Sequence, residues 1–420
     1  MNALEELTWR GLIQDVSDPE ALSKLKPGDS FYIGFDPTAP SLQVGNLAAL
    51  LVSIHLTRAG LKPILLFGGA TGMIGDPGGK SVERNLIPLE QVAANVELQK
   101  NQADQLWTRA GLSCSPEVVN NIDWTKEISF LSFLRDIGKH FTVNYMLAKD
   151  AVKSRLSGDG ISYTEFSYML LQANDFLHLF QTRGCKLQIG GSDQWGNITA
   201  GLELIRRKVN GEAYALSFPL ITNSDGKKFG KSEGNAVWLD PKLTSAYKFH
   251  QFWLNVSDKE VIHLLKVFTL ETRETIAEIE SSLKSSPERR EAQKLLADSV
   301  CALVHGSAAT ADAQRCAQAL FSGSISELSN AQILEIFDDA PSSSITRSQV
   351  ETLDILTLLS STVSKSKGEA RRLIQGGGVY IDSERITNEA LQLKDTAILT
   401  KGFAVLRSGK KNYHLLRLAE

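Results

Sequence analysis

Lys227, Lys228 and Lys231 stand close together on a glycine-punctuated stretch, Asp225-Gly-Lys-Lys-Phe-Gly-Lys-Ser232. Ammonium groups on flexible stems, carried by a loop with two glycine hinges, can gather around a polyphosphate and stabilise the charge that develops as it departs. A second grouping lies in the apolar run Phe166–Phe180, where Tyr168, Gln172 and Asp175 recur at spacings of four and three, on one face of a helix. A carboxylate among Leu170, Leu171, Phe176 and Leu177 needs partners if it is buried. Those partners are either protein groups in a closed network or a small polar molecule with an aromatic body. A third grouping, Leu187-Gln-Ile-Gly-Gly-Ser-Asp-Gln-Trp-Gly-Asn197, runs from a strand into a glycine turn. Gly190 and Gly191 let a ligand approach the backbone, and Asp193 is placed to accept hydrogen bonds from a ribose diol.

Spacing excludes several familiar chemistries. A phosphate loop ending in Gly79-Lys80-Ser81 requires glycine at 74, which is Ile74, and one ending in Gly230-Lys231-Ser232 requires glycine at 225, which is Asp225. Gly69, Gly72 and Gly75 do not match the dinucleotide fingerprint and instead fit a tight turn that places Asp76. Gln194 stands where a nucleophile elbow needs its closing glycine. Cys114, Cys185, Cys301 and Cys316 are scattered, with neither paired zinc spacing nor a disulfide framework, which fits a reducing cytoplasm.

Such groups need a scaffold that brings distant segments together. Phe31–Phe35 reads as a strand with Tyr32, Gly34 and Asp36 on one face. Pro37 and Pro40 stop it, and Leu47–Ala59 has helical periodicity up to Gly60. A strand feeding a helix N-terminus is where α/β proteins hold phosphates. Pro63–Phe67, Lys186–Gly190 and Tyr214–Ile221 are further strand candidates alternating with helical patterns, which predicts a doubly wound, mostly parallel sheet with helices on both faces. The stretch from Ile87 to about Gly184 reads as a helical insertion between the two halves of that sheet. The α/β part is expected to span 1–243, a helical part 244–325 and a linker 326–352, the last marked by Ala340-Pro-Ser-Ser-Ser-Ile345. From 353 to 420 a compact α+β unit is expected. In it, Ser366 and Glu369 form a capping box for a helix through Arg371, Arg372 and Ile374, and strand Val379–Ile381 follows Gly376-Gly377-Gly378.

With 42% hydrophobic and 22% charged residues and a net charge of −3, the composition is that of a globular protein. No apolar run approaches the ~20 residues that cross a bilayer. Met1–Val16, amphipathic and with three acidic residues, resembles neither a signal nor a transit peptide. Residues 361–420 hold eleven Lys/Arg against six Asp/Glu, a basic appendage on an acidic body, which suits a polyanion partner.

Taken together, these segments resemble bacterial-type tyrosyl-tRNA synthetase over essentially the whole chain. Tyr32–Leu47 is similar to that family's first signature and Gly68–Arg84 to its GGATGxIGDP stretch. Phe133–Val143, Thr164–Tyr168, Leu187–Asn197 and Lys228–Ser232 are similar to later blocks, the last being its lysine loop. The resemblance implies an ATP-dependent class I enzyme with a Rossmann-like catalytic domain, an α-helical anticodon-binding domain and a ribosomal-protein-type RNA-binding domain. It also implies a cytoplasmic homodimer with no membrane association, Mg2+ accompanying ATP, and no tightly bound metal. L-tyrosine would be adenylated and then passed to the 3′ end of tRNA(Tyr).

Residue roles follow from the same resemblance. Tyr32 and Asp175 match the pair that hydrogen-bonds the phenol hydroxyl, while Asp76, Tyr168 and Gln172 match residues around the ammonium group, with Gln188 and Gln194 nearby. Gly34, Asp36, Gly45, Gly190, Asp193, Leu220 and Ile221 match the nucleotide site. Thr38, Gln43, Asn46, Lys80, Arg84, Lys228 and Lys231 match positions near the departing pyrophosphate, and Lys367, Arg371, Arg372, Lys410 and Lys411 match an RNA-binding surface. The chemistry suits these roles, because attack of a carboxylate on the α-phosphate needs positioning and charge stabilisation rather than an enzyme nucleophile. A site built to hydrogen-bond a hydroxyl rejects phenylalanine, and tyrosyl-tRNA synthetases are themselves the standing example of that discrimination.

One departure stands out. The family signature ends in His-x-Gly-His, and here the tetrad is Gln43-Val44-Gly45-Asn46. Amide N–H groups can replace the imidazole donors, but neither amide carries a positive charge. Adenylation is expected to survive because donors remain and lysines supply charge. A milder departure is Asn174, where an aromatic residue is common. The alternative is a non-catalytic paralogue serving as an RNA-binding protein, which the altered tetrad favours. Against it, a binding-only descendant has no use for a tyrosine pocket and a cationic loop together. A tryptophan-specific relative is disfavoured by the phenol-reading pair.

Overall fold

A computed structural model describes residues 3–78, 87–157, 160–223, 226, 229–232, 235–322, 325, 328–338, 340–409 and 412–419. Residues 1–245 with 252–307 form one compact unit, and 246–251 with 308–420 form a second.

The first unit is built on strands β1 (Asp15–Val16), β2 (Ser30–Phe35), β3 (Lys62–Phe67), β4 (Glu117–Asn120), β5 (Leu187–Gly191) and β6 (Tyr214–Phe218), in the order β1-β6-β5-β2-β3-β4. All neighbours are parallel except β1, an antiparallel edge. A strand covered on both faces needs a continuous apolar run, as in the buried stretch Pro63–Phe67 of β3. The strand order reverses between β2 and β5, and in an open parallel sheet that switch point leaves a crevice beyond the carboxyl ends of the strands. Tyr32 lies opposite Gln188 across it. The Val44–Arg58 helix is buried from Val44 to Thr57 apart from its first turn. The Tyr163–Arg183 helix starts where the Ser162 side chain accepts the Glu165 N–H and ends at Gly184, with φ +62°. It packs on the Trp195–Val209 helix, where a Cβ at Gly201 would come within 2.8 Å of Phe176.

The expected doubly wound sheet is present, with one more parallel strand than the sequence suggested. β4 lies inside the stretch read as a helical insertion. Its only strand signal is Val118-Val119 between polar residues, because it is a partly exposed edge needing little apolar surface.

Two strands of two residues, β7 (Lys231–Ser232) and β8 (Asn235–Ala236), pair antiparallel beside the lysine loop. The second unit holds a sheet of β9 (Ser342–Thr346), β10 (Val379–Ile381), β11 (Glu384–Arg385), β12 (Phe403–Ser408) and β13 (Asn412–Ala419), ordered β11-β10-β12-β13-β9. Two boundary expectations need correction. Residues 326–352 are no linker, because β9 pairs in parallel with β13 and the preceding helix, Asn330–Ile336, sends Ile333 into a core with Phe403, Val405 and Leu415. The serines of β9 mimic a linker because an edge strand exposed along most of its length tolerates small polar side chains. The helical stretch 244–325 is also divided, with 252–307 in the first unit and 308 onward in the second. Ser366 caps the Lys367–Gln375 helix as expected, but the Glu369 carboxylate reaches the Lys365 N–H, at 2.7 Å, rather than that of Ser366.

Candidate active site

A cavity of about 520 Å³ opens at the switch point. β2 supplies Tyr32 and Gly34, and the turn and helix start after it supply Asp36, Thr38, Gln43, Gly45 and Asn46. The Tyr163–Arg183 helix adds Tyr168, Gln172 and Asp175, and β5 and the turn after it add Gln188, Gly190, Asp193 and Gln194. Asp76, Leu220 and Ile221 complete the sequence-predicted lining. Lys80, Arg84, Lys227 and Lys228 lie outside the described residues, as does the side chain of Lys231. The base of that loop is fixed by Phe229, buried against Phe252, Trp253 and Phe268.

Tyr32 and Asp175 are both fully buried. The Asp175 carboxylate accepts from Asn121 Nδ2 at 2.9 Å and from the Trp124 indole N–H at 2.8 Å. Burial pushes its pKa up to about 7, against the pull of those two donors. The Tyr32 ring rests on Phe176 with centroids 5.2 Å apart, and its hydroxyl has no partner among the described residues. Burial, with Asp175 adding to it, holds that hydroxyl protonated well above the ordinary tyrosine range.

The same cavity is lined by further acceptors. Tyr168 donates to Asp36 Oδ2 at 2.8 Å, and Thr71 donates to Asp36 Oδ1 at 2.8 Å. Asp76 accepts from the Gly78 N–H at 2.9 Å and from Gln194 Nε2. The Oε1 atoms of Gln172 and Gln188 are buried without partners among the described residues. Carboxylates and free amide oxygens suit an ammonium group, which has three donors and no acceptor. At the helix start, Asn46 Oδ1 accepts the Gln43 N–H at 3.0 Å, which orients the amide and leaves Nδ2 as its donor.

Sequence reasoning missed Asn121 and Trp124, which hold Asp175, and Thr71, which holds Asp36. Asn121 and Trp124 follow β4, and without that strand nothing in Asn120-Asn-Ile-Asp-Trp124 points at a pocket.

Residues 28–322 match the family model for class I tRNA synthetases (W and Y), and residues 332–416 match that for the tyrosine–tRNA ligase SYY-like C-terminal domain. The chain belongs to the tyrosine–tRNA ligases. Among similar proteins, the tyrosine–tRNA ligase of Roseiflexus castenholzii is 49% identical over 99% of both chains. That of Bacillus caldotenax is 48% identical over 100% of both. A C-terminally truncated mitochondrial tyrosyl-tRNA synthetase from Aspergillus nidulans superposes with a TM-score of 0.69 at 32% identity, covering 76% of this chain and 94% of its own. As a tyrosine–tRNA ligase the chain is an ATP-dependent aminoacyl-tRNA synthetase, and none of these relatives supports the non-catalytic alternative.

Proposed function

We propose that the switch-point cavity binds tyrosine with its hydroxyl between Tyr32 and Asp175 and its ammonium group toward Asp76, Tyr168 and Gln172, with Gln188 and Gln194 nearby. The observation that carries this reading is the closed end itself, where an unpartnered buried hydroxyl and a buried carboxylate face one cavity. The ATP ribose and base lie along Gly34, Asp36, Gly45, Gly190, Asp193, Leu220 and Ile221. Thr38, Gln43 and Asn46 meet the phosphates, joined by Lys80, Arg84, Lys228 and Lys231. With hydrogen-bond donors at 43 and 46 and cations from the loops, the tyrosine carboxylate attacks the α-phosphate and pyrophosphate leaves. Mg2+ enters with ATP on its phosphate oxygens.

The test is tyrosine-dependent exchange of labelled pyrophosphate into ATP. The intact chain is expected to catalyse it, and Tyr32→Phe and Asp175→Asn each to narrow the preference for tyrosine over phenylalanine. No exchange by folded protein with tyrosine and Mg2+ present would sink the assignment.

The partner expectations join this proposal. Phe130, Leu131, Val143, Leu156 and Tyr163 are at least half exposed within one 34-residue stretch, as suits a face covered by a second copy of the chain. Lys367, Arg371 and Arg372 are exposed on one helix, although Arg371 also pairs with Glu389 at 2.8 Å, and they are assigned to tRNA. Lys410 and Lys411, outside the described residues, are assigned with them. Among the described residues no helix is long and apolar enough to cross a membrane, and the cytoplasm is the proposed location.

A further inference from the structure

An unbroken line of hydrogen bonds joins the carboxylate at the phenol end of the cavity to the carboxylate on the nucleotide side. Asn121, fully buried, gives one amide hydrogen to Asp175 Oδ2 at 2.9 Å and the other to Thr71 Oγ1 at 3.0 Å. Its Oδ1 accepts the Ala70 N–H at 2.7 Å. Thr71 passes its single hydrogen to Asp36 Oδ1 at 2.8 Å, and Tyr168 donates to the other oxygen of Asp36.

The direction of every bond is fixed. Only Oδ1 of Asn121 can accept from Ala70, so Nδ2 must face Asp175 and Thr71. The carboxylates can only accept while ionised, so the hydrogens run outward from Asn121 to both ends. Reversing any one of them leaves a buried polar group unpaired. The backbone is shaped to allow this line, since a Cβ at Gly68 would lie 2.3 Å from both Asp36 Oδ1 and Thr71 Oγ1.

We propose that Asn121 and Thr71 are positioning residues that link recognition of the substrate hydroxyl at Asp175 to the setting of Asp36. A substrate without the hydroxyl then loses turnover as well as affinity. The inference rests on the reading of Asp175 as the phenol acceptor. A phenol O–H donated to Asp175 favours its ionised form. The added charge strengthens the bond from Asn121, a planar amide whose second hydrogen sets Thr71 and, through it, Asp36. Polarisation along a hydrogen-bonded chain in a low-dielectric interior acts in this way.

The experiment measures kcat and KM separately in pyrophosphate exchange, with tyrosine and with phenylalanine, for the full chain and for Thr71→Val, Thr71→Ser and Asp175→Asn. Valine keeps the shape of threonine without the hydroxyl, and serine restores the hydroxyl. In Thr71→Val the tyrosine-to-phenylalanine ratio of kcat is expected to shrink by about tenfold, the equivalent of one hydrogen bond to a charged group. The KM ratio should persist, and Thr71→Ser should return the original kcat ratio. An unchanged kcat ratio in Thr71→Val, with discrimination lost in Asp175→Asn, would overturn the link while leaving the phenol reading intact. Full discrimination in Asp175→Asn would overturn the phenol reading and the link with it. If Thr71→Val does not fold, Thr71→Ala carries the same readout.

Discussion

Asp175 gathers the competing forces of the site into one carboxyl group. Burial favours its neutral form, the Asn121 and Trp124 donors favour the ionised form, and the balance lies at about 7 rather than at the usual 3.8. A phenol hydroxyl donating to Asp175 adds to the ionised side, so tyrosine binding should release a proton below neutrality. The expected outcome is a kcat/KM for tyrosine that rises with pH up to about 7 and then levels, and that loses this limb in Asp175→Asn. The sign for stability is opposite. Between pH 3.8 and 7 the folded chain keeps a proton that the unfolded chain has given up. Free of ligand, it should therefore become less stable as pH rises through that window, and the slope should vanish in Asp175→Asn. Denaturant titrations across pH read this directly. Tyr32 and Tyr168 do not share the behaviour, because burial raises both phenols and keeps them donors throughout.

Elements with a strong period were legible before the structure, and elements without one were not. The strand around Tyr32 is a short apolar run stopped by Pro37, in which the two-residue period puts Tyr32 and Gly34 on one face, and the Tyr163–Arg183 helix repeats polar groups at four and three residues, so the faces carrying Tyr32, Tyr168, Gln172 and Asp175 could be read directly. β4 and β9 are edge strands, which need few apolar residues and leave a faint signal, so the Asn121–Trp124 support went unseen. At the start of the Val44–Arg58 helix one side of the Asn46 amide holds the Gln43 N–H and the other remains a donor, which fits the phosphate contact proposed for it. Replacing Gln43 and Asn46 together by histidine should change the rate of pyrophosphate exchange and leave the choice of amino acid untouched. The same helix that carries Asp175 is tied near its start by the buried Arg155–Glu165 pair, 2.8 Å apart. Glu165→Gln strands the guanidinium without a counter-charge and should cost about 3–5 kcal/mol in a denaturant melt.

For the whole molecule, the Ser-rich stretch that looked like a linker decides where the chain can be cut. Ile333 and Phe337 lie in one core with Phe403, Val405 and Leu415, and β9 hydrogen-bonds along β13. A fragment ending at 352 would keep Ile333, Phe337 and β9 but lose every strand that covers them, presenting apolar side chains and an unpaired strand edge to water. Such surfaces associate. A fragment ending at 322, where the first family match stops, leaves out every buried residue of that core and keeps only Leu320 of the side chains packed against it. The shorter fragment is therefore expected to be the better behaved, monodisperse in size-exclusion chromatography while the longer one aggregates. It should retain pyrophosphate exchange, because every described residue lining the cavity lies before residue 269. Aminoacylation of tRNA should fall, because Lys367, Arg371 and Arg372 are removed. Equal loss of both activities would contradict the assignment of the C-terminal residues to tRNA binding alone.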